Sequence, residues 1–288
     1  MNVHSFKEIK WGGLRLKILK KCSLLVVCLI LMMSLSACTK KEASKETMST
    51  NQDVKKSDAG EKAVPEKKEE FTYSIIDETY TEKGITIKFP QLTKVSNPTK
   101  EDSINKSIQE NIRRELDSLR NEGKDMGALT LNLNYEIAGY GQKVLSIYYQ
   151  GYAHFEQAAS PVNVYHTQNI TLDDAETISL KDIFKIDDFF VEQFKKGMYS
   201  PSREDLNLEK SGVNLKEEIE RQYSNQDLIN LFQSSEVNYK LTQYGVIVSI
   251  EVPHALGDHL EMAINYETIE TNIIKSSPVW KDYLFLVN

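Results

Sequence analysis

Few residues of this 288-residue chain are spaced for chemistry. Thr171-Leu172-Asp173-Asp174 sets two carboxylates side by side, a pair that could enter acid–base or metal chemistry only if further ligands joined it. No His-x-x-x-His follows. His154, His166, His254 and His259 are scattered, and the interval of five between His254 and His259 suits neither one face of a helix nor one face of a strand. No Ser, His, Asp order and no phosphate-cradling glycine loop stands out, and Glu217, Glu218 and Glu220 read as a solvated helix face. The expectation is a protein without catalytic residue, metal or cofactor, in which Asp173 and Asp174 form a polar turn and the histidines are hydrogen-bonded at strand ends and loops.

The aromatic run Tyr148, Tyr149, Tyr152, His154, Phe155 carries a different possibility, that of contact. Strand alternation puts Tyr148 and Tyr149 on opposite faces, so one side of the segment faces out near the 151–161 loop. Tyr152, His154, Phe155 and Glu156 are the candidate partner contacts, for a protein or a glycan.

The amino terminus has the three parts of an export signal. Six bases against the single acid Glu8 precede a 14-residue apolar run, Cys22–Leu35, too short for the roughly 20 residues a spanning helix needs. Leu35-Ser36-Ala37-Cys38 then resembles the lipobox of bacterial lipoproteins, with cleavage between Ala37 and Cys38 and lipidation of Cys38. Two acyl chains hold a protein stably where one does not, so the chain is expected at the extracellular face of the cell membrane, anchored through Cys38. Cys22 and Cys28 leave with the signal, and the domain beyond Cys38 has no thiol for disulfides, thiolate metal sites or nucleophilic catalysis.

Residues 38–70 contain no aromatic side chain and balance eight lysines against eight acids, a composition that cannot offset the entropy of ordering. They read as a disordered tether with an r.m.s. span of about 30 Å. Beyond the cleavage site 29 Lys and Arg stand against 41 Asp and Glu, a net charge of −12 that lies wholly within 71–288. Such acidity argues against nucleic acid and would steer a cationic partner.

The elements that must position these residues follow from hydropathy. Phe71–Tyr80 and Gly84–Phe89 suggest a hairpin closed by Pro90, and Ile104, Ile108, Ile112, Leu116 and Leu119 form one stripe of a helix over Thr99–Asn121, with Thr99 and Asp102 as a capping box. Leu129–Ile137, Val144–Gln150 and Val162–Thr171 alternate as an antiparallel meander. A helical insert runs from Lys181 to about Leu231, and strands return at Glu236–Thr242, Val246–Val252 and Leu260–Tyr266. The fold class is α+β, with mainly antiparallel sheets, a long N-terminal helix and two subdomains meeting near Pro161.

ITIKFPQLT (85–93), the helix after it, LSIYYQGYAH (145–154), VYHTQNITLDDAETISLKDIF (164–184) and GVIVSIEVPHALGDHLEMAINY (245–266) together resemble the paired extracytoplasmic domains of Gram-positive envelope proteins. These form the outer part of the lysozyme-sensing anti-sigma factor RsiV and the region ahead of the catalytic domain in the peptidoglycan deacetylase PdaC. The resemblance implies a PdaC-like subdomain over 71–160, an RsiV-like subdomain over 161–288, and a lysozyme-like protein or peptidoglycan as partner. It does not extend to the deacetylase motif Thr-Phe-Asp-Asp-Gly, since Ala175 stands in place of the glycine. Nor does it carry over transmembrane signalling or a zinc domain. The leading expectation is a non-enzymatic binding module of the cell envelope, and the rival is a peptidoglycan-active enzyme or an accessory domain of one.

Anchoring is directly testable. Cys38→Ala is expected to leave an uncleaved precursor or release the protein from the membrane fraction, and globomycin should make precursor of the unmutated chain accumulate. Normal maturation and retention of the variant, followed by immunoblot, would refute the assignment.

Overall fold

The structure, a computed structural model, describes residues 71–201 and 207–283. Cys38, the signal and the tether lie outside them.

β1 (Ser74–Glu82) and β2 (Ile85–Thr93) form a hairpin around Lys83-Gly84, where Gly84 takes φ +77°, a conformation that disfavours any side chain. β2 runs on through Pro90 instead of stopping there. Its ladder with β3 (Leu129–Tyr140) covers only Ile85–Ile87, so Pro90 sits where β2 has parted from its neighbour and a residue without an N–H is tolerated, as on an edge strand. That β2–β3 pair is parallel, and a parallel pair needs a long crossover. The helix α1 (Pro98–Glu122) is that crossover. Its cap is Asn97, whose side chain accepts from the Lys100 N–H, with Pro98 in the first turn; the expected Thr99–Asp102 box is displaced because proline has no N–H to satisfy. The stripe Ile104, Ile108, Ile112, Leu116 and Leu119 is buried against Ile85, Ile87, Leu131, Leu133, Leu145 and Ile147, each such side chain contributing about 1.5–3 kcal/mol.

β4 (Val144–Phe155) and β5 (Val162–Thr171) complete the meander and a five-stranded mixed sheet of order β1-β2-β3-β4-β5. β5 pairs with β4 along its whole length, so Pro161 lies in a hairpin turn inside this sheet, and, Val144 apart, the change from the first hydrophobic core to the second falls between Leu172 and Ile178. Four short helices follow, α2 (Leu180–Ile183), α3 (Asp188–Lys195), α4 (Leu215–Gln222) and α5 (Asn225–Phe232), with the strand β6 (Met198–Tyr199) among them. β7 (Asn238–Leu241), β8 (Gly245–Glu251) and β9 (His259–Asn265) build an antiparallel sheet of order β6-β9-β8-β7. One face of it packs Val246, Val248, Leu260 and Met262 against Phe184, Phe190, Phe194 and Phe232. A last turn, α6 (Trp280–Tyr283), returns to the first sheet, where Asp282 accepts from the N–H groups of Gln142, Lys143 and Val144 at 3.1, 2.6 and 2.9 Å.

The two sheets meet at β5 and β7. The Tyr239 N–H donates to Thr167 Oγ1 at 2.9 Å, the Leu241 N–H donates to Ser146 Oγ at 2.9 Å, and the Asn169 side chain donates to the Tyr239 carbonyl at 2.7 Å. In return the Asn238 side chain accepts from the Thr167 N–H at 2.9 Å and donates to the Tyr165 carbonyl at 3.2 Å. Each strand is the outermost of its sheet, and the bonds named here satisfy its outward backbone groups with side chains of the other sheet.

Thr167→Val keeps the shape and removes the acceptor, leaving the Tyr239 N–H buried without a partner. It is expected to destabilise the fold by about 1–3 kcal/mol, read as a lower urea midpoint. An unchanged midpoint would show that the edge contact contributes nothing.

Candidate functional site

The structure separates the four candidate contact residues. Tyr152 is 43% exposed, Glu156 is exposed and His154 half-buried, whereas Phe155 is 6% exposed. Phe155 points to the helix side of β4, and a Cβ on Gly123 would lie 1.8 Å from its ring, so glycine ends α1 where the ring must pass. Phe155 is thus a core residue and offers no surface to a partner. Tyr149 is likewise buried on the helix side, and Tyr148, Gln150 and Tyr152 share the opposite face.

On that opposite face, register places Asn132 beside Tyr152, Asn134 beside Gln150 and Glu136 beside Tyr148. Asn132, Asn134 and Glu136 are exposed, and Glu136 accepts from both the Tyr148 hydroxyl and the Gln150 amide. Where β2 and β3 part, a cleft of about 460 Å³ opens, lined by Asp77, Lys88, Asn134, Tyr135, Glu136 and Tyr140 among others. The Tyr135 hydroxyl donates to Asp77 across it. Asn134 and Glu136 belong to both the cleft and the exposed face, which makes the two one continuous polar and aromatic surface.

At the covered end of the face, the second sheet lays its own polar side against Tyr148 and Tyr165. Lys240 Nζ sits 3.6 Å above the Tyr148 ring centroid and 5.7 Å from that of Tyr165, and the His259 ring lies 5.0 Å from Tyr165. His259 pairs through Nδ1 with Glu261, which is 1% exposed. Desolvation lowers the Lys240 ammonium below its ordinary pKa, and the carboxylates of Glu261 and Glu136 oppose this. Burial, joined by the Glu261 charge, pushes the Tyr165 phenol well above its ordinary value. This seam holds charge by stacking cation on ring and packs the sheets together.

The remaining candidates are accounted for locally. Asp173 bridges Lys143 and Lys100 at 2.7 and 3.2 Å; the Lys143 bond, joined by that from Lys100, holds its carboxyl below the usual range against partial burial. Asp174 bonds the Thr171 hydroxyl, and Ala175 adopts φ +62°, so the segment is a tight turn. His166 joins Asn111 and Glu115 of α1 at 2.7 and 3.2 Å and ties the helix to β5. Among the described residues no three of His, Cys, Asp and Glu converge to hold a metal ion. His254 instead meets two residues that its sequence neighbourhood does not announce. Its Nδ1 lies 2.9 Å from Asp258 Oδ1, and its Nε2 lies 3.3 Å from Ser160 Oγ in the β4–β5 turn, 94 residues earlier. The only sequence signal is the His254-x-x-x-Asp258 spacing within one loop.

No family model matches the chain, and no curated protein does. Among solved structures it is similar to DUF3298 family proteins. One from Bacteroides fragilis has a TM-score of 0.45 and 18% identity over 74% of this chain and 96% of that one. Another from Pseudomonas aeruginosa has a TM-score of 0.37 and 11% identity over 72% of this chain and 95% of that one.

The buried phenols set an alkaline limit. Tyr149, Tyr165, Tyr239 and Tyr266 all have pKa values raised above 10 by burial. Because the unfolded chain ionises them near 10, the stability they contribute is complete below that pH and is lost as pH rises above it. Lys240, lowered from 10.5, acts in the opposite sense and gains stability with pH below that value, but one lysine is outweighed by four phenols. Urea midpoints are expected to fall between about pH 9 and about pH 11, with tyrosinate absorbance rising together with unfolding. Full tyrosinate formation in a still-folded protein would contradict this burial.

Proposed function

We propose that the chain is a binding module of the cell envelope, held at the membrane through Cys38, and that its ligand is wall glycan. The observation that supports this best is the continuous surface formed by the β2–β3 cleft and the open face of β3 and β4. It combines the exposed tyrosines Tyr140 and Tyr152 with the amides of Asn132 and Asn134 and the carboxylates of Asp77 and Glu136. Pyranose rings present apolar C–H faces edged by hydroxyl groups. Tyrosine covers the former at low entropic cost, while amides and carboxylates donate to and accept from the latter. A second reading, a cationic protein of lysozyme type, is favoured by the net charge of −12 over 71–288, but with Phe155 in the core it retains Tyr152 alone as an aromatic anchor from that segment.

The compact unit Glu66–Asn288 is suited to titration with purified wall fragments. Saturable binding is expected, with Tyr152→Ala and Asn134→Ala each weakening it about tenfold, equivalent to about 1.4 kcal/mol. For a lysozyme-type partner, by contrast, association should slow steeply as the Debye length shrinks from roughly 14 Å to about 4 Å between 0.05 and 0.5 M salt. Absence of saturable glycan binding together with salt-sensitive lysozyme binding would replace the first reading by the second.

A further inference from the structure

Ser160, His254 and Asp258 lie beyond the glycan surface, at the rim where the β4–β5 turn meets the β8–β9 loop, and their geometry is that of an activated hydroxyl. Asp258 is fixed first. Its carboxylate accepts from the Asn163 N–H at 2.7 Å and from the Asn163 side-chain amide at 3.0 Å, and its backbone is held at φ +73°, a conformation uncommon for a residue with a side chain. The carboxylate then receives His254 Nδ1 at 2.9 and 3.1 Å. A carboxylate only accepts, so in the neutral ring Nδ1 carries the proton and Nε2 presents its lone pair. The group 3.3 Å from Nε2 is the Ser160 hydroxyl, which has no other partner among the described residues. The N–H groups of Ala159 and Ser160, in the same turn, likewise donate to no described residue.

We propose that Ser160, His254 and Asp258 act together as an acyl-transfer triad that hydrolyses small ester groups. Ser160 Oγ attacks the ester carbonyl while its proton passes to His254 Nε2, and Asp258 stabilises the resulting imidazolium. The bond from carbonyl carbon to alkoxy oxygen breaks, and the departing alkoxide takes the proton from Nε2. Water then adds to the acyl-serine, giving one proton to His254, and the carboxylic acid leaves as Ser160 recovers its hydrogen. The His254 side chain is 55% exposed, so the site has no walls for a long acyl chain, and an acetyl-sized group is the substrate class it fits. Tyr152, the register partner of Asn163, places an exposed ring next to this rim and could carry the alcohol portion of a polyhydroxylated ester.

The test uses the full chain in membranes, treated with a fluorophosphonate probe and separately with p-nitrophenyl acetate. A covalent adduct on Ser160, found by peptide mass spectrometry, and a burst of nitrophenol are expected. Ser160→Ala should abolish both, and His254→Gln and Asp258→Asn should each slow labelling by about 10²-fold or more. Asn tolerates the left-handed backbone at 258 while reversing the proton donor that His254 Nδ1 meets, so a slow but folded Asp258→Asn variant separates a chemical role from a structural one. Glycan binding by Ser160→Ala should be unchanged, which keeps this proposal and the binding reading independently testable. Labelling of Ser160 no faster than in the urea-unfolded chain, or equally fast in His254→Gln, overturns the proposal.

Discussion

Two sheet edges, each short of hydrogen-bonding partners, are closed against one another by side chains, and both the cation–ring seam and the meeting of His254 with Ser160 depend on that closure. A backbone ladder between β5 and β7 would have merged the sheets into one and laid their polar faces side by side. Capping by Ser146, Thr167, Asn169 and Asn238 instead sets the sheets at a corner. The corner brings Lys240 and His259 over Tyr148 and Tyr165, and carries the β8–β9 loop to the β4–β5 turn. Burial makes these bonds consequential, because Ser146 and Asn169 are almost wholly inaccessible and an unmet backbone group there could not turn to water.

Much of this architecture was legible in the sequence, and the legible part is the periodic part. The stripe from Ile104 to Leu119 and the alternation from Leu129 to Ile137 declare which face is buried, since one amphipathic side requires a partner. What hydropathy could not show is which strands neighbour one another. The parallel step from β2 to β3, and with it the cleft, depends on a crossover whose geometry leaves no mark in composition. Phe155 illustrates a narrower failure. Its place in an aromatic run suggested a surface, but strand alternation gives it the same face as Ala153 and Tyr149, and the glycine that receives it is 32 positions earlier.

The histidines show the same limit for chemistry. His166 is met by a carboxylate of α1 and His259 by one two residues on in its own strand, outcomes expected of histidines in sheets. His254 is held by a residue four positions on and faced by one 94 positions back, and only the closure of the sheets brings the second to it. Sequence spacing can therefore reveal the half of a constellation that lies within one loop, whereas the half supplied across an interface waits for the fold.

Asp282 extends that dependence in time. Its carboxylate completes the turn between β3 and β4 by receiving three successive backbone N–H groups that were synthesised about 140 residues earlier. Contacts of such sequence separation form late and slow the search for the native state. In a chain made from its amino end, the first sheet must emerge with this turn still open and remain so until the distal carboxylate follows. The interval before closure is when the emerging strands would most need protection from one another and from neighbouring chains.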